Sequence, residues 1–309
     1  MNLDIIILFF ALGVFAALVR SDLRLPPGLY ETLTLYLLLA LGLKGGVELA
    51  RFPLGEVLLQ AIPVVAMGVV LPLLCYPVLR RLGRLPVTDS ASIAAHYGSV
   101  SVATFAVGIA HLDSLGIAYE AYLPVFVVLL EMPAIGVGIW LARRAGVGQG
   151  GGASLAHEVF LNKGILLMGG GLLIGTVAGP AGVEPVAPLF MDLFKGVLAL
   201  FLVEMGIIAA SRLRELRALG VFLLGFGTLM PLAGAAVGAL AGTLAGLSPG
   251  GVMIVATLGA SASYIAVPAA MRIAIPEARH HLSITLSLAI TFPFNVLIGI
   301  PLYTSVLVR

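Results

Sequence analysis

The 309-residue chain is 60% hydrophobic and only 10% charged, with 17 Lys and Arg against 15 Asp and Glu and a mean hydropathy of +1.13. An ordinary soluble domain carries roughly 25% charged residues, so this composition excludes a soluble globular protein, a disordered chain and a nucleic-acid binder, and makes the lipid bilayer the solvent. A net charge of +2 implies no polyanionic partner, and the single cysteine, Cys75, rules out an intrachain disulfide or a thiolate-rich metal centre.

A spanning helix needs about 20 mainly apolar residues. Charged and Pro/Gly-punctuated breaks divide the chain into ten such stretches, at residues 3–19, 27–43, 57–79, 88–110, 121–142, 158–178, 188–210, 219–242, 250–273 and 282–307. The first is not followed by a small-residue cleavage site, so it reads as a retained span and not as a signal peptide. Lys and Arg collect on the cytoplasmic side of short loops. With the N-terminus outside, the cytoplasmic connections hold Arg20, Arg24, Arg80, Arg81, Arg84, Arg143, Arg144, Lys163, Arg212, Arg214, Arg217, Arg272 and Arg279, leaving Lys44, Arg51, Lys195 and Arg309 outside. Both termini are therefore expected outside.

Glycines 146, 148 and 150–152 mark residues 146–157 as a flexible cytoplasmic linker between two five-span units, 1–145 and 158–309. Five is odd, so the second unit enters the membrane in the opposite sense and the units are expected to form an inverted repeat. Corresponding features support this. The fourth span carries HYGSVSVATF (His96–Phe105) and the ninth TLGASASYIAVPAA (Thr257–Ala270), and each precedes a span with an internal proline: Gly98 lies 35 residues before Pro133 and Gly259 34 before Pro293. Small polar residues also line ordinary helix contacts in membranes, but their recurrence at matching positions predicts two interrupted helices.

Interrupted helices are tolerated in lipid only where protein covers them or a polar cavity meets them. Half-helix N-termini then offer N–H groups and a positive dipole end to an anion, while freed carbonyls and hydroxyls coordinate a cation such as Na⁺. Gly98 and Gly259 are expected to supply the bends. Gly98, Ser99, Ser101, Gly259, Ala260, Ser261 and Ser263 are the candidate substrate residues, and Ser99, Ser101, Thr104, Ser261 and Ser263 the candidate cation ligands. Neither run contains Lys or Arg, which suits a small planar oxyanion held by backbone N–H groups.

Glu131 and Glu204 lie near span centres, where ionisable residues are costly; each is either interhelical glue or a cation-coordinating or proton-coupling group. His96 reads as a packing histidine in preference to a sensor, and Asp89 as a cap on the fourth span. GPAGVEP (Gly179–Pro185) reads as a turn, and Arg212, Arg214 and Arg217 as a topology signal that could also dock a regulator or anionic lipid. No nucleophile–base pair or transition-metal constellation is present, so an enzyme is not expected.

The runs SIAAHYGSVSVATFAVGIAHLDSLGIAYEAYLP, EMPAIGVG, DLFKGVLALFLVEMG, SPGGVMIVATLGASASYIAVPAAMRIAIPEA and LSLAITFPFNVLIGIPLY resemble the sodium-dependent bicarbonate transporter family of bacterial permeases. The resemblance covers Leu3 to Leu307. It implies an all-α protein of ten spans in a five-plus-five inverted repeat, with crossing broken helices at Gly98–Thr104 and Gly259–Ile265. It further implies a homotrimer in the bacterial inner membrane, elevator-like Na⁺-coupled bicarbonate uptake with Na⁺ as the coupling ion and no other cofactor, and, for some members, a PII-like cytoplasmic regulator. Tyr264 stands where studied members carry an aspartate, and Glu131 and Glu204 are the replacements of like type. The competing expectations are a related organic-anion/Na⁺ symporter, a cation/proton antiporter of similar build, and a non-transporting anion sensor.

Overall fold

A computed structural model describes residues 5–23, 26, 28–148 and 152–308. Arg24, Gly150, Gly151 and Arg309, together with residues 3 and 4 of the first expected span, lie outside the described residues, as do the side chains of Arg214 and Arg217. The first unit forms α1 (Ile5–Leu18), α2 (Leu29–Leu49), α3 (Leu54–Leu82), α4 (Val87–Gly98), α5 (Val102–Leu115), α6 (Pro124–Leu130) and α7 (Pro133–Arg144). The second forms α8 (Gly152–Phe160), α9 (Lys163–Val183), α10 (Phe194–Ser211), α11 (Leu216–Leu244), α12 (Pro249–Gly259), α13 (Ala266–Ala274) and α14 (His280–Leu307). Among the described residues there is no strand, and eight helical stretches are long and apolar enough to cross a membrane: α2, α3, α4 with α5, α6 with α7, α9, α10, α11 and α14. The other two expected spans coincide with shorter apolar helices, the 14-residue α1 and the 11-residue α12.

Two boundaries differ from expectation. Residues 152–157, read as linker, begin α8, because Leu155 has an apolar seat among Val267, Met271 and Ile275. The Gly179–Pro185 turn is a kink within α9, made at Gly179 (φ 64°, ψ −174°), and the chain stays helical to Val183.

Pairing follows from small residues. Lipid tails are as apolar as leucine, so helices associate where backbones can approach closely. Gly42 and Gly46 of α2 face the backbone of Met168 and Leu172 on α9, and Gly171 and Gly175 of α9 face Leu39 to Val47 on α2; a Cβ on Gly171 would stand 2.8 Å from the Leu39 oxygen. α1 and α10 pair similarly through Gly13 and Gly206. α3 packs on α4 and α11 on α12, while α4 also packs on α7 and α12 on the last turns of α14. Leu59 and Ile62 on α3, Leu173 and Val177 on α9, and Leu229 and Leu240 on α11 are exposed as a lipid-facing belt. In contrast, the most apolar stretch across α4 and α5 is buried in its entirety, so this interrupted helix is enclosed by protein.

Candidate functional site

The chain leaves helical geometry at the two runs the sequence singles out. α4 stops at Gly98, Ser99 (φ −91°, ψ 172°) and Ser101 (φ −108°, ψ 113°) are extended, and α5 restarts at Val102. Serine suits this junction because its hydroxyl can cap the next helix: Ser101 Oγ accepts the Thr104 N–H at 3.2 Å. The second break runs from Ala260 to Ile265, between α12 and α13.

The breaks meet. The Ser101 N–H donates to Ser261 Oγ (3.0 Å), Ser261 Oγ donates to the Leu258 carbonyl (2.8 Å), and the Ser263 N–H donates to the His96 carbonyl (2.8 Å). Each segment thus satisfies backbone groups that interruption of the other leaves unpaired, as a buried, water-poor setting requires. Asn295 Nδ2 completes the set by donating to the Ala260 carbonyl at 2.8 Å, and its Oδ1 accepts from the Tyr303 hydroxyl at 3.0 Å. Ser99, Ser101, Thr104, Ser261 and Ser263 are all buried here.

The expected glycine bends are corrected. Neither Gly98 nor Gly259 has a positive φ, and in the first break the extended Ser99 and Ser101 carry the change of direction. The glycines permit close approach instead: Gly98 abuts the Pro72 ring, with room for a Cβ only 2.9 Å from that of Ala134, and Gly259 abuts the Gly234 carbonyl and lies where a Cβ would be 3.0 Å from Met67 Sδ.

Three buried polar atoms at the crossing have no partner among the described residues: Ser99 Oγ, the Tyr264 hydroxyl and His96 Nε2. His96 Nδ1 pairs with the Ser92 carbonyl at 2.7 Å, a packing role that leaves the other nitrogen free. Such orphans are costly unless something else satisfies them. A cavity of about 200 Å³ reaches the second break, lined by Tyr264 and Ile265 at its inner end and by Tyr30, Glu31, Thr34 and Lys163 toward the start of α2 and α9.

Neither glutamate hydrogen-bonds to a break among the described residues. Glu131 is buried at the α6–α7 kink and faces the start of α9, where Asn162 Oδ1 accepts the Ile165 N–H (3.1 Å) and a Cβ on Gly164 would lie 3.5 Å from Glu131 Oε1. Glu204 lies on α10 one turn after Phe201, on which Tyr30 stacks at 5.8 Å. Each keeps one buried oxygen without a partner, and among the described residues no hydrogen bond joins either to a break. Asp89 does not cap α4, whose N-cap is Pro86. Its buried carboxylate accepts from the Arg279 N–H (2.7 Å) and Nε (2.8 Å) and pairs with Nη2 at 2.7 Å, tying the start of α4 to the connection before α14.

Sequence reasoning missed Asn295 and Thr291. Thr291 bonds the Tyr97 hydroxyl (2.6 Å) and donates to the Gly227 carbonyl (3.0 Å), holding α14 against α4 and α11. The available signal was an amide alone in a long apolar span, which lipid makes costly unless it is bonded.

An all-helical membrane protein in which two enclosed, interrupted helices exchange hydrogen bonds has the build of a secondary transporter. The chain belongs to the Na⁺-dependent bicarbonate transporter superfamily, whose family profile matches residues 6–308. No match is found among curated proteins.

Proposed function

We propose that the protein takes up bicarbonate with Na⁺ by alternating access, binding both at the Gly98–Thr104 and Gly259–Ile265 crossing. The observation that carries this is the crossing itself, where Ser101 and Ser261 bond each other while Ser99 Oγ and the Tyr264 hydroxyl stay buried and unpartnered. Backbone N–H groups of the restarting helix suit an oxyanion, and hydroxyls and freed carbonyls suit Na⁺. Candidate substrate contacts are Gly98, Ser99, Ser101, Gly259, Ala260, Ser261 and Ser263. Thr104 joins the serines for Na⁺, and Glu131, beside the start of α9, and Glu204, near Tyr30, each keep a buried unpartnered oxygen as further candidate cation ligands. The cavity of about 200 Å³ favours a small anion, because pockets for larger organic ligands run to roughly 300–1,000 Å³.

The pairings support ten spans in an inverted repeat. Exchanging the units turns α1 with α10 into α9 with α2, α3 with α4 into α11 with α12, and α4 with α7 into α12 with the end of α14; all six contacts occur. In an elevator-like cycle, α3–α7 with α11–α14 would move against α1, α2, α9 and α10. The positive-inside rule then puts the arginine-rich ends of α3, α7, α10 and α13 in the cytoplasm and both termini outside. A homotrimer and a PII-like regulator on the arginine-rich face belong to the same reading, tested by native mass and by a pull-down. The deciding experiment is uptake of labelled bicarbonate into proteoliposomes with and without an imposed Na⁺ gradient. Gradient-driven uptake is expected; no uptake above empty vesicles at any Na⁺ concentration would refute the function.

A further inference from the structure

One face of α14 is polar along most of its length: Ser283, Ser287, Thr291, Asn295 and Tyr303 recur at steps of four or eight residues, and all are buried. In lipid a buried polar side chain is tolerated where it is bonded, and Asn295 is bonded through both ends of its amide. Nδ2 donates to the Ala260 carbonyl (2.8 Å), and Oδ1 accepts from the Tyr303 hydroxyl (3.0 Å). A carbonyl only accepts, so the amide nitrogen must face Ala260, and the Tyr303 O–H holds the amide that way round. Gly299 makes room for the pair, since a Cβ there would stand 2.6 Å from Asn295 Oδ1 and 2.9 Å from the Tyr303 hydroxyl. The helix also widens at this point: the Ile300 N–H reaches back five residues to the Asn295 carbonyl, a π turn of the kind that recurs at functional sites.

This unit acts on the second break. Ala260 directly follows α12, whose C-terminal end carries the negative end of the helix dipole, and interruption there frees carbonyls that a continuing helix would use. Two of them are already directed: the Leu258 carbonyl takes both the N–H and the hydroxyl of Ser261, and the Gly259 carbonyl lies against Gly234 of α11. The Ala260 carbonyl takes one N–H, from Asn295, and a carbonyl oxygen has two lone pairs. We propose that Asn295 is a positioning residue for the coupling ion: with Tyr303 and Gly299 it fixes the Ala260 carbonyl so that the remaining lone pair is offered to Na⁺. The proposal rests on the Na⁺-coupled reading of the crossing, and adds to it one carbonyl ligand and the three residues of α14 that orient it. A carbonyl held in place before the ion arrives spares binding the cost of ordering it. Anion binding draws on the N–H groups of the restarting helices, which this unit does not touch, so its loss falls on Na⁺.

The test is uptake by the full chain in proteoliposomes, with Na⁺ varied at saturating labelled bicarbonate and bicarbonate varied at saturating Na⁺. Asn295→Leu should raise the KM for Na⁺ about threefold to tenfold, and leave the maximal rate and the KM for bicarbonate within about twofold. Tyr303→Phe and Gly299→Ala, which keep the amide but loosen or displace it, should each give a smaller rise in the KM for Na⁺. Tyr303→Phe should add nothing to that KM in an Asn295→Leu background, because it acts through the amide. A KM for Na⁺ that stays at the wild-type value, a loss of rate with both KM values moved together, or a full Tyr303→Phe effect without Asn295 would each overturn the proposal. A second readout needs no flux: the thermal unfolding temperature of the detergent-solubilised protein, titrated with sodium chloride against choline chloride. Na⁺ should raise it in the wild type, and the half-effect concentration should increase in Tyr303→Phe and further in Asn295→Leu. A wild type with no rise, or one half-effect concentration shared by all three proteins, overturns the positioning role. Uptake that ignores the Na⁺ gradient refutes the coupled reading by itself, and the unfolding titration still decides whether Asn295 serves a Na⁺ site.

Discussion

Deleting the hydroxyls of Ser99 and Ser261 should have opposite consequences, although both serines are 1% exposed. Ser261 Oγ receives the Ser101 N–H at 3.0 Å and donates to the Leu258 carbonyl at 2.8 Å, a carbonyl that also accepts the Ser261 N–H at 3.1 Å. Ser261→Ala therefore leaves the carbonyl partnered and strands the Ser101 N–H. A buried donor left unpaired costs about 1–3 kcal/mol, and hydrogen bonds measured within membranes average nearer 0.6 kcal/mol, so a loss of about 1–2 kcal/mol is expected. Ser99 Oγ has no protein partner to lose. Ser99→Ala should leave stability within about 0.5 kcal/mol, while forfeiting a bond to a charged ligand worth about 1.5–3 kcal/mol, which is a rise of tenfold or more in the KM for bicarbonate or Na⁺. Equilibrium unfolding in mixed micelles measures the first quantity and vesicle uptake the second. A Ser99→Ala protein that is destabilised by more than about 1 kcal/mol with unaltered affinity, or a Ser261→Ala protein of wild-type stability, would refute the reading that the Ser99 hydroxyl is free for ligand while the Ser261 hydroxyl also holds the two breaks together.

Asn295→Leu should destabilise by about 1–3 kcal/mol by stranding the Ala260 carbonyl and the Tyr303 hydroxyl; Tyr303→Phe in the same chain should recover part of this, and strict additivity in the double-mutant cycle would contradict the network. Gly98→Ala should cost about 1–3 kcal/mol by overpacking against Pro72 and Ala134, whereas Gly136→Ala, in α7 with nothing within 4 Å of the new methyl, should be neutral or stabilising by thermal unfolding. Asp89→Ala should destabilise more than Arg279→Gln, because the carboxylate is 2% exposed and the guanidinium 53%, so that loss of the acid leaves a backbone N–H unpaired while loss of the base leaves that bond in place; equal losses would argue against it. On the face opposite the arginines, Lys44 of α2 lies 3.8 Å from Asp113 of α5, and Tyr119 donates to Asp113 at 2.8 Å. Burial, and then the Asp113 charge, push the Tyr119 hydroxyl well above the usual phenol range, so it stays a donor through alkaline assays. Asp113→Asn removes a half-exposed ion pair worth at most about 1 kcal/mol, and should raise the labelling rate of an introduced Ile109→Cys by an impermeant thiol reagent up to about fivefold in a Cys75→Ala background; an unchanged rate would show that the pair does not hold that face closed.

The breaks were legible because lipid makes polarity conspicuous. Gly-Ser-Val-Ser and Ser-Ala-Ser interrupt spans that otherwise hold leucine, valine and alanine, and an interruption has few permitted causes where unpaired backbone cannot be hydrated. What a span's sequence states about depth it does not state about rotation around the helix axis. Glu131 and Glu204 stand near span centres in the sequence, yet the kink before Pro133 directs Glu131 to the start of α9, and Glu204 falls on the face of α10 that carries the Phe201–Tyr30 stack. A glycine symbol is ambiguous in the same way, since it serves a left-handed turn at Gly179 and a close contact at Gly98. The partners that define the site are farther still from local pattern: Ser101 finds Ser261 across 160 residues and Asp89 finds Arg279 across 190. An inverted repeat brings such residues together by matching each element with its counterpart in the other unit, so the layout of two serine runs was readable while the pairing between them required the fold.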